Sequence, residues 1–217
     1  MNRRVLIALC AAPALVPLLA FGQGRVATLT AQDQADIARI EAYLNGIKTL
    51  KARFIQVAPD GGTSSGTAWI DRPGRMRFQY DPPSPYLLVA GGGLVVFHDD
   101  QLKQTSNVPI GRTPLGILLA ENVQLTGPVT VTALSRLPGQ IQVTLVRTAE
   151  PASGSLTLVF ADNPFGLRQW SVVDEQRKET RVSLFNVELG GTFDQQMFYF
   201  SNPDLTGPKY NQPGQRG

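Results

Sequence analysis

From Ala52 to Val187 the sequence alternates apolar and polar side chains, and a turn signal interrupts it about every ten residues. A period of two is the signature of extended chain, because successive side chains of a strand leave opposite faces. The cleanest stretch is Arg75 to Tyr80: Met76, Phe78 and Tyr80 point one way, Arg75, Arg77 and Gln79 the other. Similar patterns predict strands at 52–57, 66–71, 86–90, 94–97, 101–105, 129–134, 141–146, 156–160, 167–173, 180–187 and 197–200. Turn signals lie between them at His98-Asp99-Asp100, Pro138-Gly139, Ser153-Gly154, Asn163-Pro164 and Asp174-Glu175-Gln176. Connections this short join consecutive antiparallel strands, and a sheet of roughly eleven strands curls or closes instead of staying flat.

Only two segments carry a helical pattern. Ile37, Ile40, Leu44 and Ile47 recur at spacings of three and four, and Thr30 with Asp33 offers a capping box ahead of them. In the break at 107–122, Thr113-Pro114 is a helix start with proline at the first helical position, and residues 115–120 are apolar on every side. A helix without a polar face is buried all round or covers an apolar opening. The expected fold is mainly β with α: an unclosed antiparallel half-barrel of about eleven strands, with helices forming a lid over an apolar cavity. Aromatic residues expected on the inward face are Phe54, Trp69, Phe78, Tyr80, Tyr86, Phe97, Phe160, Trp170 and Phe185. The parity near Trp69 depends on the turn Arg72-Pro73-Gly74. Patterning alone does not distinguish a filled core from a cavity.

The N-terminus reads as a cleaved secretory signal, residues 1–22. Arg3 and Arg4 precede an apolar run to Phe21, and Ala20-Phe21-Gly22 has the small-x-small form of a cleavage site. One domain, 23–206, is expected to follow, then a flexible tail at 207–217 rich in Gly, Pro and Gln. Cleavage removes two of the 20 Lys+Arg and none of the 17 Asp+Glu, so the net charge falls to 18 − 17 = +1. With no Lys/Arg run, nothing favours nucleic acid. Cys10, the single cysteine, leaves with the signal, and one histidine excludes two-His metal motifs, so no metal or cofactor is expected.

Catalytic patterns are weak. Gly62-Thr63-Ser64-Ser65-Gly66 matches G-x-S-x-G by letter, but a nucleophile elbow joins a strand to a helix and this segment joins two strands. His98, the one possible base, is expected in a solvated turn. The run Gly91-Gly92-Gly93 opens no helix, which argues against a phosphate cradle.

At Leu44 to Gln56 a short helix end leads into the strand Phe54-Ile55-Gln56. Ser65 to Tyr80 follows, with Arg72-Pro73 at its turn, then the hairpin Gly91 to Gln104, Thr113-Pro114 with its leucines, and Phe198-Tyr199-Phe200-Ser201-Asn202-Pro203. Together these resemble the outer-membrane lipoprotein carrier proteins, the LolA family, over roughly 40–205. The resemblance implies a non-catalytic, monomeric periplasmic chaperone. It would take acylated lipoprotein cargo from an inner-membrane ABC transporter of the Lol type and pass it to an outer-membrane acceptor. It also implies that Arg72 pins the lid by donating to carbonyls near Leu118 and Leu119; the plainer reading is a surface arginine paired with Asp71 or Asp81. Candidate acyl-chain contacts are Ile70, Met76, Phe78, Tyr80, Leu88, Phe97, Leu115, Leu118 and Leu119. Alternatives on the same half-barrel are a sensor or interaction module, and a carrier of another acylated molecule such as a glycolipid. The helix carries Gly116, which weakens it by about 1 kcal/mol relative to alanine.

Overall fold

A computed structural model of the chain describes residues 29–201. The expected signal segment 1–22 and tail 207–217 lie outside the described residues, as do Asn202 and Pro203 of the closing motif. Eleven strands form one antiparallel sheet: β1 (Thr49–Val57), β2 (Thr63–Asp71), β3 (Arg75–Tyr80), β4 (Tyr86–Gly91), β5 (Leu94–Asp99), β6 (Gln104–Pro109), β7 (Val129–Leu137), β8 (Gln140–Arg147), β9 (Ser155–Asp162), β10 (Phe165–Val173) and β11 (Glu179–Leu189). Their order is β6-β5-β4-β3-β2-β1-β11-β10-β9-β8-β7, so two meanders meet at the β1–β11 pair and both outer edges stay open. The half-barrel is unclosed, as the strand pattern predicts.

This topology dictates the lid. β6 and β7 are consecutive in the chain yet stand at opposite edges of the sheet. Residues 110–128 must therefore cross the concave side. They do so through a 3-10 turn, Ile110–Arg112, and a single helical turn, α2 (Leu115–Leu118). Pro114 precedes α2 and is not its first residue.

The other helix, α1 (Ala31–Gly46), begins with the expected capping box. The Thr30 side chain accepts from Asp33 N–H, and the Asp33 carboxylate accepts from Thr30 N–H at 2.8 Å. Donation to the Asp33 carboxylate from the Thr30 N–H and the Thr30 hydroxyl, each at 2.8 Å, and then from Arg136, holds that carboxyl down at about 2. Ile37, Ile40 and Leu44 are buried in the main core. Tyr43 meets Phe160 and Phe165 edge-on at 5.8 and 5.4 Å, and Arg136 of β7 reaches Asp33 at 2.7 Å. Helix α1 thus packs over β7, β9 and β10 through Arg136, Phe160 and Phe165.

Three local expectations are corrected. The β5 strand continues through His98 to Asp99, and its partner β6 runs 104–109 instead of 101–105. The turn lies beyond His98, where Asp99 Oδ1 accepts from Gln101 and Leu102 N–H. His98 is consequently 5% exposed on β5, with Nδ1 2.9 Å from Thr105 Oγ1, and is not a solvated turn residue. Residues 197–200 form no strand. A 3-10 turn, Gln195–Phe198, packs on the outer face of β3 and β4, with Phe198 buried and Arg77 donating to the Met197 carbonyl at 3.0 Å. That covering lets Val89 be buried on a face that strand alternation alone would give to water.

Candidate functional site: an apolar cavity beneath the connecting helix

The register places Gly66, Ala68 and Ile70 of β2 opposite Tyr80, Phe78 and Met76 of β3, which in turn continue to Leu88 and Ala90 of β4 and to Phe97 and Val95 of β5. These residues share the concave face. Trp69 pairs with Arg77 on the other face, and Phe185 is 46% exposed there, so neither lines the interior as expected. The β2–β3 hairpin keeps strict pairing through its turn, which fixes Trp69 outward. Phe185 follows Leu184, which pairs with the inward Phe54, and itself pairs with Arg53, so plain alternation turns it outward.

A chain of rings crosses the concave face: Phe97 to Tyr86 at 5.4 Å, Tyr86 to Tyr80 at 5.7 Å, Tyr80 to Phe54 at 5.1 Å, Phe54 to Phe78 at 4.7 Å and Phe78 to Trp170 at 5.9 Å. Between these rings and α2 lies a cavity of about 190 Å³. Met76, Phe78, Tyr80, Leu88 and Leu115 line it, joined by Trp170 and Val182 from β10 and β11. Its mouth is edged by Asp174 and Lys178 of the β10–β11 turn.

The remaining sequence candidates fall elsewhere. Phe97 is half-buried at the far end of the ring chain. Ile70 and Leu118 pack with Leu44, Ile47, Leu50, Leu167 and Arg72 around a gap of only about 10 Å³, and Leu119 is buried in the core. The sequence reading missed Trp170 and Val182 as cavity wall. Trp170 stood among the inward aromatics, but only the pairing of Val182 with both Trp170 and Gln56 brings these strands round to face α2.

Tyr80 is buried and donates its hydroxyl to Gln56 Oε1 at 2.7 Å. Burial pushes the phenol up to about 12, from an ordinary 10.0. The neutral phenol is therefore favoured by the fold, and its contribution is complete below pH 10 and lost as pH rises from 10 through about 12. Urea unfolding at about pH 9 and about pH 11 is expected to show a smaller alkaline loss in Tyr80→Phe than in the wild type. Equal losses would place the alkaline sensitivity elsewhere.

Arg72 is 7% exposed and faces no carboxylate. Asp71 is taken by Arg75 at 3.0 Å, and Asp81 by Arg53. Instead the guanidinium donates to backbone carbonyls from two elements. Nε and Nη2 reach Ala120 O at 3.0 and 2.6 Å, while Nη1 donates to Leu44 O and, at 3.3 Å, to Ile47 O. The accepting carbonyls after α2 thus belong to Ala120 rather than to Leu118 or Leu119. Gly74 N–H takes the Leu119 carbonyl at 2.9 Å. Burial pulls the Arg72 guanidinium below its ordinary value, but arginine stays charged, and its planar fork suits clustered carbonyls. On the far side of α2, a Cβ at Gly116 would come within 2.5 Å of Ile110 O and 2.9 Å of Arg147 Nη2. The glycine that weakens the helix is what lets it seat.

Ser64 lies in β2 on the concave face and His98 on the opposite face of β5, so the two make no nucleophile–base pair. Among the described residues no group of three or more His, Cys, Asp or Glu could hold a metal ion, and no helix is long and apolar enough to cross a membrane.

The model of the outer membrane lipoprotein carrier protein LolA family matches residues 45–201. The outer-membrane lipoprotein carrier protein of Methylococcus capsulatus is 28% identical over 198 residues, covering 87% of this chain and 92% of the relative. That of Chromohalobacter salexigens is 26% identical over 196 residues, covering 86% and 92%. Among solved structures, a LolA superfamily protein from Nitrosomonas europaea aligns over 76% of this chain and 97% of its own at 7% identity, with a TM-score of 0.42, too loose a likeness to carry weight. The family match spans well over half of the sequence and contains the ring-lined sheet, the lid and Arg72, and the chain belongs to the non-catalytic LolA family of outer-membrane lipoprotein carrier proteins.

Proposed function

We propose that this protein is a periplasmic carrier that holds the acyl chains of a lipoprotein in the cavity beneath α2. It receives that cargo from an inner-membrane ABC transporter of the Lol type and yields it to an outer-membrane acceptor. The observation that carries the reading is the cavity itself, apolar where it is deep and covered by a segment that belongs to neither meander. Each acyl methylene left in water costs about 0.8 kcal/mol, so a long chain needs an apolar wall at every step of a crossing. The wall must also be closed when empty, because a large open apolar surface invites aggregation.

Size sets the mode of loading. A cavity of roughly 150 Å³ accommodates a benzene molecule. The 190 Å³ present here is only slightly larger, so a full acyl chain enters as α2 moves aside. Leu115, half-buried on α2, occupies the roof position that the chain would take over.

Purified mature protein incubated with spheroplasts should bring an acylated lipoprotein into the soluble fraction. Leu88→Trp, which fills the cavity from β4, should abolish that release and weaken a fluorescent fatty-acid probe by at least about tenfold. Excluding as few as two methylenes is enough for such a loss. Undiminished release by a folded Leu88→Trp variant would refute the cavity as the cargo site.

A further inference from the structure

Lys178 lines the mouth of the cavity and also a second, open groove of about 390 Å³. The groove's floor is Val57, Ala58, Pro59 and Gly61, where β1 turns toward β2, and its opposite wall is Arg177, Lys178, Glu179 and Arg181. Pairing of Val57 with Arg181 at the end of the β1–β11 ladder brings the two sides together. Three cations face one carboxylate. Arg181 is engaged with Glu179 at 3.1 Å, while the side chains of Arg177 and Lys178 make no hydrogen bond or ion pair among the described residues. The other neighbouring carboxylates keep their charge but are not among the groove's lining residues. Asp174 Oδ1 accepts Lys178 N–H at 2.9 Å, Asp60 Oδ1 accepts Gly62 N–H at 2.9 Å, and Glu175 lines a separate hollow with Arg112 and Glu150.

We propose that this groove seats an acidic, extended stretch of the cargo polypeptide as it leaves the mouth. The inference rests on the carrier reading: with acyl chains inside, the attached polypeptide has to emerge past the edge that Lys178 marks. An open groove with small and apolar residues on one side and long basic side chains on the other fits a single extended chain bearing carboxylates better than it fits a flat lipid surface. Exposed ion pairs are individually weak and screened by salt, so the groove supplies selectivity among cargos and orientation at the mouth, while the acyl chains supply affinity.

Three synthetic lipopeptides with one diacylated cysteine head and tails of about four glutamates, glutamines or lysines separate these contributions. Displacement of a fluorescent fatty acid at low salt should rank the glutamate tail about three- to tenfold tighter than the glutamine tail, with the lysine tail weakest. The gap should close at about 0.5 M salt, where the Debye length is only a few ångströms. It should also close in the double variant Arg177→Gln, Arg181→Gln, in which Lys178 and Glu179 cancel, while that variant keeps wild-type affinity for the glutamine tail. Equal affinities for the three tails, or an unchanged preference in the variant, would overturn the groove. Failure of all three lipopeptides to displace the probe would instead remove the carrier reading on which it stands.

Discussion

Arg72→Leu is expected to leave the sheet folded while freeing its lid. The eleven-stranded ladder does not pass through the Arg72 side chain, whose bonds go to Leu44 and Ile47 at the end of α1 and to Ala120 after α2. A leucine fills part of the volume but donates nothing, and each buried carbonyl left unpaired costs about 1–3 kcal/mol. The cheapest relief is to let water in by lifting segment 110–125, so the penalty is paid by lid docking and not by global stability. Three consequences should appear together. A hydrophobic dye should bind the empty protein more strongly, amide exchange in 110–125 should accelerate by at least about tenfold, and cargo transfer to an acceptor should fail. On the proposed carrier reading, transfer would fail because a closed empty state no longer competes with the bound cargo. Arg72→Lys should recover only part of the effect, since an ammonium lacks the planar fork that reaches two elements at once. Wild-type dye binding and exchange in Arg72→Leu would show the carbonyl contacts to be incidental.

The legible part of this molecule is what local period encodes. Strict alternation at Arg75 to Tyr80 gave β3 its inner face, and Met76, Phe78 and Tyr80 all meet the cavity. The Thr30–Asp33 pair announced the start of α1. Long-range covering escaped such reading. Phe198-Tyr199-Phe200 has strand-like composition, but both sheet edges lie elsewhere and the segment packs against the outside of β3 and β4. His98 looked solvated beside Asp99 and Asp100 because nothing local reveals Thr105 on the next strand or Phe200, whose ring lies 5.1 Å from the imidazole. The setting of Arg72 was half legible: the Arg72-Pro73 motif pointed to carbonyl contacts through resemblance, whereas the part played by α1's carbonyls depends on where that helix ends in space. Gly116 was read as a local weakness, yet its reason is tertiary, in the approach of Ile110 and Arg147.

Gly66→Ala should be the most damaging single-methyl change on the concave face. Gly66 stands between Phe54 on β1 and Tyr80 on β3. A Cβ there would lie 2.7 Å from Phe54 Cε1 and 2.8 Å from Cζ, and would also press on the Gln79 carbonyl oxygen. The ring has no retreat, since Phe78 and Tyr80 hold it at 4.7 and 5.1 Å and it is 1% exposed. The carbonyl is backbone and cannot rotate away. Overpacking of a tight core costs about 1–3 kcal/mol and sometimes more, and an obstruction on two sides belongs at the upper end. For a domain of this size, about 3 kcal/mol lowers Tm by roughly 6–12 °C. On the proposed carrier reading, function should fall with stability, because a displaced Phe54 pushes Phe78 and Tyr80 into the cavity. Adding Phe54→Leu should restore part of the Tm by clearing the ring, but not all of it, since the clash with Gln79 remains. A Gly66→Ala protein that melts like the wild type would disprove the ring's claim on this glycine. The expected result also accounts for the G-x-S-x-G lettering at 62–66: its last glycine is required by a phenylalanine lying across a strand, not by a nucleophile at a turn.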